Sequence, residues 1–141
     1  MKDRLRPREW GNGIPNYTKE DLMTKEEIHS FGVEVVAGQL KREGYKIINF
    51  NPVFGLYPSI IAENNNEAVA VVVKTDIAPY KPELTKIDKQ GIINFCDGYP
   101  TKPCFASVSI GSADGIRFEK SLALVGDGYH VLYKGLEYIS K

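Results

Sequence analysis

Residues Ala68-Val69-Ala70-Val71-Val72-Val73-Lys74-Thr75 form an unbroken apolar run that ends in a lysine. A strand projects successive side chains to opposite faces, so a run without polar alternation needs cover on both. That makes it a central strand of a sheet. Pro79 and Pro82 end it, because proline has no N–H to give to a ladder.

The punctuation around this run defines the other elements. Thr24 followed by Glu27 is a capping box, with each side chain able to accept the other's backbone N–H. Ile28, Phe31, Val35, Val36 and Leu40 follow at helical spacing, with Lys41 and Arg42 in the last turn and Gly44 as the stop. A helix is predicted over 24–43. Strands are predicted at 45–50 and 56–62, with Asn64-Asn65-Asn66 as the turn into the central run. A second helix is expected at 83–97 and a fourth strand at 105–110. Further short strands are expected near 116–125, 129–133 and 136–139, with Gly126-Asp127-Gly128 and Lys134-Gly135 at the bends. Residues 1–23 carry prolines, glycines and charges without a period and read as an N-terminal arm, partly flexible. Residues 24–141 read as a single α/β domain.

Composition narrows the function classes. The 18 basic and 18 acidic residues cancel, so no overall field draws in nucleic acid or an anionic membrane. Cys96 and Cys104 are the only cysteines, and neither sits in a CxxC pair, which argues against a structural zinc site. The start lacks the apolar core of a signal peptide, and no apolar run reaches the roughly 20 residues that span a bilayer. The expectation is a soluble cytoplasmic protein with no membrane association. Local basic candidates for weak DNA binding are Lys41, Arg42 and Lys46 at the end of the first helix, besides Arg4, Arg6 and Arg8 in the arm.

Three segments carry a family resemblance. Glu27-Ile28-His29-Ser30-Phe31-Gly32-Val33-Glu34 lies in the first helix, Tyr57-Pro58-Ser59-Ile60-Ile61-Ala62 in a strand, and Val71-Val72-Val73-Lys74-Thr75 at the end of the central strand. In order and spacing the chain resembles the restriction-endonuclease-like, or PD-(D/E)XK, nuclease superfamily over roughly residues 24–110. The resemblance implies an α-β-β-β-α-β core with a mixed sheet, here followed by a C-terminal β-hairpin extension. It sets Glu34 at the helix glutamate, Ser59 at the Pro-Asp aspartate, Val72 at the second acidic place and Lys74 at the lysine.

The chemistry of that family shows what these residues lack. Phosphodiester cleavage uses a divalent ion to activate water and offset phosphate charge. Magnesium is a hard ion that takes oxygen ligands. Residues two apart on a strand share a face, so an acid and a lysine so spaced both meet the phosphate. A serine and a valine in the two acidic places leave one lysine and one distant glutamate. The vestigial positions Glu34, Ser59, Val72 and Lys74 thus imply a nuclease-like domain without catalysis or cofactor. Such a domain would act as a binding or regulatory module for DNA, a partner protein or a second copy of itself. Two alternatives stay open. One is a metal-dependent nuclease binding magnesium or manganese through rearranged ligands Glu34, Glu63 and Asp76. The other is an unrelated small α/β interaction domain.

Overall fold

In a computed structural model, residue 7 and residues 17–113, 115 and 121–140 are described. The element order is α1 (Lys25–Arg42), β1 (Lys46–Phe50), β2 (Ile60–Glu63), β3 (Ala68–Ile77), α2 (Lys86–Gly98), β4 (Lys102–Ser112), β5 (Tyr129–Leu132) and β6 (Glu137–Tyr138). Among the described residues six strands form one mixed sheet in the order β1-β2-β3-β4-β5, with β6 also beside β4. β1, β2 and β3 make an antiparallel meander, and β3 pairs parallel with β4 across the α2 crossover. This is the α-β-β-β-α-β order with a mixed sheet that the sequence leads one to expect. No helix among the described residues is long and apolar enough to cross a membrane.

The α1 boundary is fixed locally. Thr24 Oγ1 accepts the Glu27 N–H at 3.1 Å, and Glu27 Oε1 accepts the Thr24 N–H at 2.8 Å. Gly44 ends the helix with φ of +93°, a region that favours glycine. The buried stripe is Ile28, His29, Gly32, Val33, Val36, Ala37 and Leu40, rotated from the one expected around Phe31 and Val35. The reason is size: a Cβ at Gly32 would lie 2.3 Å from Thr75 Cγ2. Small residues seat the helix on the sheet, and a count of large apolar residues misses them. His29, on this stripe, is therefore buried.

β3 divides the core. Val69, Val71 and Val73 pack with Val33, Val36 and Leu40 on the α1 side, whereas Ala70 and Val72 pack with Ile61 and Ile92 on the α2 side. The run is covered on both faces, as its composition requires.

Other differences from the sequence reading have local causes. The second strand begins at Ile60, not Leu56; Val53, Phe54 and Leu56 are exposed loop residues, and apolar content alone does not make a strand. β4 runs from Lys102 to Ser112, because its nine-pair register with β3 extends the ladder past the alternating segment. α2 starts at Lys86 behind a Thr85 cap, whose Oγ1 accepts the Asp88 N–H at 3.1 Å. The C-terminal extension is not a hairpin: β5 pairs with Ser109–Ser112 and β6 with Cys104–Phe105, so both lie along β4 as one interrupted edge strand. Within the strand expected at 116–125, residues 121–125 contribute only an isolated bridge between Leu124 and Leu22. Residues 116–120, and the arm apart from Pro7 and residues 17–23, lie outside the described residues.

Candidate functional site

The register of the meander places Ser59 and Val72 together. Ile60 pairs with Val71 and Ser59 precedes it, so Ser59 bonds the β3 backbone on either side of Val72, with Lys74 two residues beyond Val72 on the same face of the strand. The Ser59 N–H donates to the Val71 carbonyl at 2.8 Å, and its Oγ accepts the Val73 N–H at 3.3 Å. The hydroxyl thus serves the backbone of β3. Both Ser59 and Val72 are fully buried, and Val72 sits among Ile61, Ala70 and Ile92.

β2 stops at Ile60, and beyond it the β3 edge lies beside the loop of residues 51–59. At this fork, helices from opposite faces of the sheet send side chains to one place. Asp88, in the first turn of α2, forms an ion pair with Lys74 in which both side chains are about four-fifths buried. The Lys74 ammonium lies 5.0 Å from the Tyr57 ring centroid. From α1, His29 meets Phe54 and Tyr57 edge-on, with ring centroids 5.6 and 6.3 Å away. The imidazole is 1% exposed, and its Nε2 has no hydrogen-bond partner among the described residues.

The electrostatics follow from this packing. Burial, then the Lys74 charge, lowers the His29 pKa, so the imidazole is held neutral. Burial also works against the Lys74 ammonium, but the hydrogen bond to Asp88 and the neighbouring Tyr57 outweigh it and leave the group above its ordinary value. Asp88 likewise resists burial; hydrogen bonds from Lys74 and Thr85 bring it below the usual carboxylate value.

The other sequence candidates lie elsewhere. Glu34 is exposed and lines a groove with Lys41, Ile47 and Phe50. Glu63 pairs with Ala68 at the start of β3, whereas Asp76 lies near its end, about 26 Å away for eight residues of strand. Glu34, Glu63 and Asp76 therefore do not form one ligand set. Among the described residues no three of His, Cys, Asp and Glu are placed to hold a metal ion. At the fork the donors are one carboxylate bound to an ammonium and one neutral imidazole, which do not fit a magnesium or manganese site. Lys41, Arg42 and Lys46 are exposed; Lys46 stands across the ladder from Glu63, which offsets its charge.

Sequence reasoning missed two members of this cluster. Asp88 was signalled by Thr85 three residues before it, a cap that fixes it in the first turn of α2. His29 was signalled only by its place on the stripe with Gly32, Val33 and Val36.

Comparison with known proteins places the chain without assigning it an activity. No curated protein matches it significantly. Among solved structures, it is similar to Hjc, a Holliday junction resolvase from the archaeal hyperthermophile Archaeoglobus fulgidus, with a TM-score of 0.46 and 18% identity. That match covers 55% of this chain and 65% of the resolvase. The model of a domain of unknown function, DUF8840, matches residues 26–139, and the chain belongs to that family.

Proposed function

We propose that this domain keeps a nuclease-like fold with its metal site dismantled, and that it works as a binding or regulatory module. The observation that carries this reading is the place of Ser59 beside Val72 at the fork, bonded to the backbone of Val71 and Val73. A buried valine offers no ligand, and the serine hydroxyl already accepts a backbone N–H. The lysine that would face a phosphate in an active relative is instead tied to Asp88. With zero net charge, DNA affinity is expected to be weak and to fall steeply as salt rises. Fluorescence anisotropy with duplex and branched DNA measures that slope.

Calorimetric titration with manganese tests the central claim. The wild-type protein is expected to give no stoichiometric heat. A stoichiometric site of micromolar affinity overturns the reading, and its loss in Asp88→Asn would then identify the ligand. The constructive test is Ser59→Asp with Val72→Glu, which rebuilds an acid pair beside Lys74. Two unpaired buried carboxylates lower stability without metal, and manganese should restore part of it by binding the folded form alone. A folded double mutant whose melting temperature ignores manganese counts against the assignment of these positions.

A further inference from the structure

Among the described residues β1 is an edge of the sheet, with one register shift against β2 between Ile47 and Asn49. It contains no proline, its only charge is Lys46, and Ile48 and Phe50 are 44% and 41% exposed. Apolar, unpaired edges of this kind favour strand addition.

The helix above this edge adds an element of symmetry. The groove between α1 and β1 is lined by Glu34, Ala37, Gly38, Lys41, Ile47 and Phe50. Glu34 and Lys41 lie two turns apart, about 10 Å along the helix, with Ala37 and Gly38 midway between them. Reversing the groove about that midpoint exchanges the acid with the base. It also exchanges Ile47 with Phe50 and runs β1 antiparallel to itself. A two-fold axis at the edge therefore satisfies charge and strand direction together, as an isologous interface requires. Neither Glu34 nor Lys41 has an ion-pair partner among the described residues. At the centre, a Cβ on Gly38 would touch only the Arg42 guanidinium among the described residues, at 3.5 Å, so a second helix has room to approach.

We infer that two copies of this chain associate through β1, extending the sheet antiparallel across the two-fold axis, with each Glu34 facing the partner's Lys41. Ile48 and Asn49 flank the axis, and Ile47 and Phe50 of the two copies close over the groove. This does not depend on the fate of the metal site, since the β1 edge and the fork share none of these residues.

Analytical ultracentrifugation of the full chain across a dilution series is the test, with circular dichroism melts to show that each variant folds. The wild type is expected to be a concentration-dependent dimer. Glu34→Lys or Lys41→Glu places two like-charge pairs across the axis and should weaken the dimer at least about tenfold. Mixing the two single variants restores opposite charges at both pairs, so a heterodimer of wild-type strength should form. The double variant E34K/K41E should likewise recover. A wild-type chain that stays monomeric throughout overturns the inference. So does a dimer that ignores both reversals, or single variants that fail to associate when mixed.

Discussion

The two ends of β3 each hold a polar cluster, and they differ in how well it is satisfied. At the start of the strand Glu67 receives the Tyr45 hydroxyl at 2.5 Å, the Tyr138 hydroxyl and the Lys102 ammonium at 3.3 Å. These groups come from three separate stretches of chain, so one carboxylate ties together the turn after α1, β4 and the C-terminal β6. Hydrogen bonds from Tyr138 and Tyr45 hold Glu67 below its ordinary pKa against the opposing effect of burial. At the other end Lys74 has a single carboxylate, and buried His29 has a ring nitrogen with no partner among the described residues. A saturated cluster serves stability. An unsaturated one costs stability.

The largest expected effect is at the saturated end. Glu67→Leu removes three hydrogen bonds, two from phenols and one charge-assisted by Lys102, and should cost about 2 to 3 kcal/mol in urea unfolding. A loss no larger than that of a surface substitution would erase the contrast between the two ends. At the fork, Lys74→Met should cost only about 1 kcal/mol, because Asp88 keeps some access to water. Adding Asp88→Asn should return most of it. A double variant that stays as unstable as the single would mean that the pair holds the fold as Glu67 does.

His29→Phe should act in the opposite direction. It keeps the edge contacts with Phe54 and Tyr57 and removes the orphan nitrogen, so it should stabilise by about 0.5 to 1 kcal/mol. The smallest effect is in the pH profile. The His29 pKa is depressed in the folded state, so the unfolded chain binds more protons as pH drops below about 6.5. Stability should fall across that window in the wild type and stay flat in His29→Phe. Glu67 has the usual carboxylate sign: its contribution is present above about 4.5 and disappears as pH falls through its lowered value. Melts at closely spaced pH values separate the two.

What was legible in the sequence is what neighbouring residues decide. The Thr24 and Glu27 box, the Gly44 stop and the doubly buried Val69–Val73 run each state a local requirement, and the structure meets all three. The 56–62 strand was overextended because Leu56, though apolar, is exposed in the loop before β2. The hairpin was misjudged because β5 and β6 find their partner in β4, 17 to 34 residues earlier in the chain, rather than in each other. That Val72 and Lys74 share one face was legible from the two-residue repeat of a strand. The helix contributions were not, since which α1 and α2 residues reach the fork depends on how closely Gly32 lets α1 approach Thr75.

The parallel pairing of β3 with β4 has a kinetic consequence. Each of its nine residue pairs joins positions 33 apart in sequence, so none can form until the α2 crossover has closed its loop. The meander of β1, β2 and β3 needs only short turns and can assemble first. Ser59 and Val72 meet within that early unit, but Lys74 finds Asp88 only when the crossover docks. The fork therefore becomes complete late, and the Lys74–Asp88 pair should report on the closing step. Substitutions there should mainly speed unfolding, while those at Val71 and Ile60 should slow folding. Stopped-flow chevrons of Asp88→Asn and Ile60→Val would show the two patterns.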